Sequence, residues 1–469
     1  MLSLGEIQAI DHLRIVNMKG NEEGIAKRIV TDSRIVKPGD LFIALRGERF
    51  DGSAFVKDAF RNGACCAIVE KPVKTNRPYI LVRDSVQALG DVARLHRRKF
   101  SIPVIAVTGS SGKTTTKEMI LAVLGTTYRV LATKGNLNNH IGVPQTLLGL
   151  TARHDLAVIE MGMNHSGELT YLCRVAEPTH GLITNVGKAH LEYFRTIKKI
   201  AEAKGELFAW IGKSRRGKGF VNLDDAYVVR ESRRLKDLIS YSAKSASADV
   251  KAELVQVDRN GYPLMKIHAC VWKKPVTVRL KIAGIQNVSN ALAAAAVGIE
   301  FGVFPQLIKK GLESFTPVRG RMEVLNKHGI TIINDAYNAN PESVRSALET
   351  IARMQCRGRR ILVLGDMLEL GTAALREHRT LGAEITSRNC DLLLGHGPLT
   401  LGVCKHSTAH EKYHFESKEE LIATLTRIVK KHDIVLVKGS HGMHMDEIVT
   451  ALTSMQPNRE QRKTGGGKH

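Results

Sequence analysis

Residues 104–119 read VIAVTGSSGKTTTKEM, an apolar run that turns through glycine and serine into lysine and threonine. The triplet Gly112-Lys113-Thr114 ends a phosphate-binding loop. In such loops backbone N–H groups and a helix N-terminus face the anion, the lysine reaches the terminal phosphates and the hydroxyl holds Mg²⁺. The usual loop opens on a glycine where this chain has Val107; its glycine comes two residues later, at Gly109. The loss of that first glycine argues against a standard GTPase or motor ATPase. Nucleotide contacts are expected from Gly109, Ser110, Ser111, Gly112, Lys113, Thr114 and Thr115, with Thr114 also on the metal. The alternative is an ordinary strand-to-helix turn carrying a surface lysine.

Two other ionisable residues stand where chemistry is done. Glu160 closes the apolar strand LAVIE, at the carboxyl edge of a parallel sheet, where ligand sites form. Lys204 lies on TIKKIAEAKGELF in register with Ile197, Ile200 and Leu207, hence on an inward apolar stripe. A lysine is seldom fully buried without a partner, and burial favours its neutral amine. Each has a plainer reading. Glu160 can cap a neighbouring helix, Lys204 can snorkel to solvent, and Glu206 beside it can pair with a neighbour.

The elements that must hold these residues follow from hydrophobic periodicity. PVIAVTG, LAVIEMG (156–162), GLITNVG (181–187) and GFVNLDD (219–225) are uninterrupted apolar strands, several separated by helical stretches. That pattern predicts a mostly parallel sheet covered on both faces. The helix after the loop has Met119, Ile120, Val123 and Leu124 on its inner stripe. Residues 240–282 alternate and predict antiparallel strands appended to this unit, followed by a helix over NVSNALAAAAVGIEFGV. The strand–helix pattern restarts near residue 318: ITIINDAY, RRILVLGDM, DLLLGHG and DIVLVKGS are strands, and Asn340 caps a helix with Pro341 at its first position. Short apolar runs between turn signals in the first hundred residues predict a small mixed α/β unit. The expected fold is therefore α/β in three domains: residues 1–100, a central parallel-sheet domain 101–317 carrying the shortened loop, a Rossmann-like domain 318–455, and a disordered polar tail 456–469. No internal repeat is visible.

Bulk properties limit the rest. The formal charge is +23. A nucleic-acid partner, a substrate rich in phosphate and carboxylate, or a basic bias of the source proteome would each account for it. Basic residues are dispersed and no aromatic-rich basic strand appears, so no nucleic-acid partner is expected. No apolar run approaches the ~18 residues of a membrane span. Glu6 and Asp11 interrupt the N-terminal stretch, which does not read as a signal peptide. Seven scattered cysteines without a C-x-x-C pair read as buried reduced thiols. The expectation is a cytoplasmic protein, a monomer, with no membrane insertion.

TGSSGKTT resembles the loop of the Mur ligase family, ATP-dependent amide-forming enzymes that include folylpolyglutamate synthases. The chain is similar to that family in order along most of its length: KGNLNNHIGVP (134–144), IEMGMNHSGEL (159–169), TNVGKAHLEYF (184–194), AEAKGELF (201–208), GIQNVSNALAA (284–294), VRGRME (318–323), NDAYNANPESV (334–344), LGDMLELG (364–371) and LVKGSHGM (436–443). TDSR (31–34) and GDLFIALRGERFDGSAF (39–55) resemble the domain that binds the UDP-sugar end, which folylpolyglutamate synthases lack. DAYNANP and LGDMLELG are similar to the members that join D-alanyl-D-alanine to UDP-N-acetylmuramoyl-tripeptide.

The resemblance implies ATP and Mg²⁺ as cofactors and those two molecules as substrates. It implies Glu160 and His190 on a second Mg²⁺, and a Lys204 carbamylated by CO₂ that helps organise it. Singly, His190 reads equally well as a satisfied loop histidine. The resemblance also implies Asn287, Asn290, Arg321 and Asp335 at the nucleotide, Asn138 and Asn139 at the muramoyl substrate, Ser33 and Arg34 at the uridine end, and Asn338, Asn340 and the loop at Lys438 on the dipeptide side. Four positions depart from the family pattern: Gln286 for a histidine, Arg195 for a glycine, Ser53 for a histidine and His441 for an arginine.

Overall fold

The computed structural model describes residues 2–10, 14–17, 24–47 and 50–455. The tail expected to be disordered, 456–469, and Asp11 lie outside the described residues. Three sheets with helices on their faces build three α/β units.

The largest sheet has nine strands. Val130–Ala132, Leu156–Glu160, Val104–Thr108, His180–Ile183, Lys218–Asn222, Leu238–Ser242 and Val250–Val257 run parallel in that spatial order. Pro263–Ala269 and Val276–Arg279 continue the same sheet antiparallel. The expected appended strands thus extend the main sheet rather than form a separate one. Their burial alternates, as it should for a sheet edge covered on one face only. The strand before the loop is buried along its whole length, because paired strands flank it and helices cover both faces. This placement puts the carboxyl ends of three adjacent strands, those ending at Thr108, Glu160 and Ile183, side by side. The register sets Val107 opposite both Glu160 and Leu182.

The last unit carries a six-stranded sheet in the order Glu323–Lys327, Ile330–Asp335, Ile434–Lys438, Arg360–Gly365, Leu392–His396, Glu411–Phe415, with only the first pairing antiparallel. Asn340 caps the helix Pro341–Arg353 through Ser343 N–H, and Val344, Leu348 and Ile351 face inward. The main sheet of the N-terminal unit has five strands, of which only Arg14–Val16 is antiparallel to its neighbour, and two short antiparallel pairs, Leu2–Ser3 with Ile25–Ala26 and Arg46–Gly47 with Phe50–Asp51, lie outside it. All seven cysteines are free; four are buried, but Cys270 is exposed, against the expectation of buried thiols throughout. Among the described residues no helix is long and apolar enough to cross a membrane.

Candidate active site

The loop begins where strand pairing ends. Val107 is a buried, doubly paired strand residue and cannot turn the chain, so the turn falls to Gly109 and Gly112. Gly112 has φ +78°, a left-handed conformation suited to glycine, and a Cβ there would meet Asn290 Oδ1 at 2.8 Å. At Gly109 a Cβ would stand 1.9 Å from Thr184 Oγ1.

The neighbouring strand end holds the loop in shape. Ser111 N–H donates to Asn185 Oδ1 (2.9 Å) while Thr184 Oγ1 and Asn185 Nδ2 donate to Ser111 O (2.7 and 3.0 Å). Ser110 Oγ accepts from Gly187 N–H at 2.9 Å. Lys113 Nζ folds back onto Gly109 O at 2.8 Å. Its burial pushes the ammonium below the ordinary lysine range, partly offset by Glu160 and Glu369.

Glu160 is buried beside this lysine. Its Oε1 accepts from Asn138 Nδ2 (2.8 Å), its N–H donates to Thr133 Oγ1 (2.9 Å), and its Oε2 has no hydrogen-bond partner among the described residues. Thr133 O accepts in turn from Lys117 Nζ at 2.6 Å; Lys117 is wholly buried on the helix that follows the loop. Lys204 is buried as its periodicity predicts, on the helix Ile197–Ile211. Burial first, then the charge of Lys113, drive its amine well below the usual range. Glu206 instead caps the helix Glu168–Ala176, accepting from Gly167 N–H (2.7 Å) and Thr170 N–H (2.9 Å).

His190 adopts φ +57° at the start of the turn Leu191–Phe194. Its Nδ1 lies 2.7 Å from Glu369 Oε2, an ion-pair distance without straight hydrogen-bond alignment, and His190 holds the Glu369 carboxyl below the ordinary range. Glu369 comes from the last unit, as do Asn340, whose Nδ2 donates to Ser111 Oγ (3.1 Å), and Glu377, whose carboxylate takes Lys188 Nζ (2.9 Å). Glu342 Oε2 accepts from Lys188 N–H at 3.1 Å. The last unit is thus docked against the loop.

A cavity of about 1630 Å³ lies between the units. It is lined by Ser110 to Thr115, Asn138, Asn139, Glu160, His190, Asn287, Asn290, Arg321, Asp335, Asn338 and Asn340, and by Lys438. Gly109 and Lys204 stand behind its wall. Ser33 and Arg34 lie elsewhere, on the turn Ser33–Ile35, where the exposed Arg34 pairs with Asp32.

Several lining groups are already engaged. Asn290 Nδ2 donates to Asn287 Oδ1 (2.8 Å) and Thr116 Oγ1 to Asn290 Oδ1 (3.0 Å). Asp335 Oδ2 pairs with the buried Lys438 Nζ, and the Arg321 guanidinium stacks 4.0 Å above the Tyr337 ring. Asn139 Oδ1 caps the helix Gly142–Leu147 by accepting from Gly142 N–H at 2.9 Å. At the departures, Gln286 lines the cavity, Arg195 takes φ +63°, Ser53 N–H donates to Asp51 Oδ1, and His441 stacks against Tyr337.

Sequence reasoning missed Glu369, Lys188, Glu377, Lys117 and Asn185 as site residues. The motif strings around Glu369, Lys188 and Asn185 and the helical stripe of Lys117 carried a signal; Glu377 had none.

The sheet order, the glycine-pinned loop and the inter-unit cavity define a phosphate-loop α/β protein whose site is completed by a second α/β unit. The chain belongs to the Mur ligase family. Residues 26–97 match its catalytic domain, 107–298 the Mur ligase middle domain and 320–441 the Mur ligase glutamate ligase domain. The chain is 35% identical over 446 residues to UDP-N-acetylmuramoyl-tripeptide--D-alanyl-D-alanine ligase of Bacillus subtilis, covering 92% of this chain and 94% of that one. The crystal structure of MurF from Acinetobacter baumannii superimposes with a TM-score of 0.88 at 33% identity, over 96% of this chain and 98% of that chain. MurF ligase from Thermotoga maritima, in complex with ADP, gives 0.81 at 30% identity over 91% and 97%.

Proposed function

We propose that this chain joins D-alanyl-D-alanine to UDP-N-acetylmuramoyl-tripeptide at the expense of ATP, giving the pentapeptide precursor of peptidoglycan, with ADP and phosphate released. The observation that carries this reading is the convergence of Lys113, Glu160 and His190 with Arg321, Asp335 and Asn340 of the last unit on one cavity. Two substrates and a nucleotide can meet there.

A carboxylate does not form an amide directly, because oxide is a poor leaving group. The carboxylate oxygen attacks the γ-phosphorus, the bond to the β-phosphate oxygen breaks, and an acyl phosphate results. The dipeptide amine then adds to the carbonyl carbon, phosphate leaves and the amine loses a proton. Lys113 offsets the repulsion between carboxylate and triphosphate and the charge that develops during transfer. The residues from Gly109 to Thr115 receive the phosphates. Asn287, Asn290, Arg321 and Asp335 form the nucleotide wall, Asn138 and Asn139 the muramoyl side, Asn338 and Asn340 the dipeptide side, and Ser33 and Arg34 the distant uridine end.

The donors suit Mg²⁺. Thr114 supplies a hydroxyl, and Glu160 Oε2 is a buried carboxylate oxygen left without a hydrogen-bond partner among the described residues. Thr114 would hold one ion, and Glu160, His190 and a carbamylated Lys204 would hold a second. Among the described residues no three His, Cys, Asp or Glu side chains cluster to hold a cation, and phosphate oxygens would supply further ligands. When bound, the ion supplies Lewis-acid stabilisation of the phosphoryl oxygens. Lys204 is prepared for its modification: the neutral amine, favoured by burial and by Lys113, attacks CO₂ and sheds a proton to give a carbamate anion.

The division at residues 100/101 and 317/318, a cytoplasmic location and a monomeric state belong to the same reading. A coupled phosphate-release assay with UDP-muramoyl-tripeptide, varying the dipeptide, tests it. Turnover that ignores D-alanyl-D-alanine, or survives Lys113→Ala intact, overturns it.

A further inference from the structure

The segment 185–192 touches everything at once. On one side Asn185 and Gly187 pin the phosphate loop; on the other its residues meet the last unit. The meeting is closest at the loop after the strand Arg360–Gly365. Glu369 O accepts from Glu192 N–H (3.1 Å), and Gly371, at φ +52°, passes so near that a Cβ would stand 2.8 Å from Glu192 Cα. Glu369 itself is held at φ +62°, a left-handed conformation that disfavours a residue with a Cβ. Two bonds on its N-terminal side fix that loop: Met367 N–H donates to His378 Nε2 (3.0 Å) and Leu368 N–H to Ser440 Oγ (2.8 Å). The outcome of this presentation is a carboxylate set at ion-pair distance, 2.7 Å, from His190 Nδ1, an atom that has no aligned hydrogen-bond partner among the described residues.

We propose that Glu369 is a positioning residue that fixes the tautomer of His190, holding the proton on Nδ1 and presenting a bare Nε2 lone pair to the cavity. Because the carboxylate arrives on the last unit, docking of that unit and preparation of the histidine become one event. The inference rests on the proposed reading of His190 as a metal-facing residue. A carboxylate on the far nitrogen is the usual way a protein sets which imidazole nitrogen can ligate, and its loss lowers metal affinity or activity by about 10–100-fold. Glu369 does not itself touch the reacting atoms.

The test uses the full-length protein and the variants Glu369→Ala, Glu369→Gln and His190→Gln. With ¹⁵N-histidine labelling and a non-hydrolysable ATP analogue, the ring nitrogens of His190 report the tautomer, assigned by loss of the signal in His190→Gln. Wild type is expected to show an Nδ1–H, Nε2-bare ring. Glu369→Ala is expected to lose that single tautomer and to raise the Mg²⁺ concentration for half-maximal turnover by tenfold or more, with the KM for ATP little changed. Glu369→Gln, whose amide oxygen can still accept from Nδ1–H, is expected to restore both. The proposal is overturned if wild-type His190 carries its proton on Nε2. It is also overturned if Glu369→Ala keeps the tautomer and Mg²⁺ dependence while raising the KM for ATP or dipeptide, which is the behaviour of a docking contact alone. If His190→Gln keeps wild-type Mg²⁺ dependence, the reading of His190 has failed, and that result is distinct from failure at Glu369.

Discussion

The contact between Gly109 and Thr184 allows a prediction worked from geometry. Gly109→Ala places a Cβ 1.9 Å from Thr184 Oγ1, so one of the two must retreat by about 1.5 Å to reach ordinary van der Waals contact. Thr184 cannot easily move: it is buried, directly follows a central strand, donates its N–H to Thr108 O at 2.9 Å and its Oγ1 to Ser111 O at 2.7 Å. The loop therefore shifts instead, carrying Lys113 and the phosphate-facing amides with it. A misplacement of ~1 Å at a reacting group costs on the order of 10²-fold in rate, so kcat/KM for ATP should fall about a hundredfold, near 2.7 kcal/mol. Thr184→Ala removes the offending oxygen while Asn185 Nδ2 still serves Ser111 O, and the next atom, Thr184 Cβ, stands at 3.1 Å. The double variant should therefore recover part of that loss, a coupling of roughly 1 kcal/mol or more, while the remainder reflects alanine held at φ +151°, a conformation strained for any residue with a Cβ. Phosphate-release kinetics and ADP binding by calorimetry on all four proteins measure the cycle. Strict additivity, or wild-type kcat/KM in Gly109→Ala, would refute the claim that this contact sets the loop.

Other perturbations probe the supports of the site. Arg195 is exposed and held at φ +63°, ψ −30°, so Arg195→Gly should stabilise by ~1 kcal/mol after allowing for glycine's greater chain entropy, read as a higher calorimetric transition temperature. Lys117→Met leaves the buried Thr133 O unpaired, at about 1–3 kcal/mol, and frees the segment that orients Glu160; thermal unfolding and kcat should both fall, whereas an unchanged kcat would deny Lys117 a part in holding Glu160. His378 is buried and neutral, accepting from Met367 N–H on Nε2 and facing Ala374 O on Nδ1; burial lowers its pKa despite the opposing pull of Ala374 O, Asp366 and Glu377. The unfolded chain therefore binds the proton first, so this contribution is complete above pH ~6.5 and is lost as pH falls through the lower folded value. The fall of transition temperature between pH 7 and 5 should be shallower in His378→Asn, and equal slopes would contradict the assignment.

What could be read in advance was whatever lies within one element or one sheet. A continuous apolar run before glycine identified the central strand, and parallel pairing with the strand ending at Glu160 followed from the same kind of run. The helical stripe placed Lys204 inside, correctly. The same reasoning applied to Lys117, which shares a face with Ile120 and Leu124, would have found a second buried lysine. Arg195 shows why a glycine is usual there: the backbone turns through positive φ whichever residue occupies it. The strand Glu411–Phe415 was missed because it is a partly exposed sheet edge without an apolar run. Glu369, Lys188 and Glu377 were illegible for a different reason. Their partners lie 179 to 189 positions away, brought together by docking of units, and no periodicity encodes that distance.

The electrostatics of the wall explain why such docking pays off at the moment of binding. Burial drives both the Lys113 and Lys204 amines below their ordinary range, Arg321 lowering Lys113 further and the charge of Lys113 lowering Lys204. Lys113 is matched only by a backbone carbonyl and the nearby fields of Glu160 and Glu369. The folded chain therefore holds cationic groups in a destabilising arrangement that an anion relieves. Under the proposed reading, a triphosphate at the loop would relieve Lys113, and a carbamate on Lys204 would add an attractive charge beside it. Asn340 of the last unit holds Ser111 of the loop and Glu377 holds the cationic Lys188 at the cavity, so opening that unit should loosen both and weaken the grip on phosphate, even though the like-charged Glu369 leaves with it. Substitutions that separate the units, such as Asn340→Ala together with Glu377→Ala, should therefore weaken ATP more than ADP. Equal loss for both nucleotides in calorimetric titrations would show that docking acts through the nucleotide wall and not through charge at the terminal phosphate.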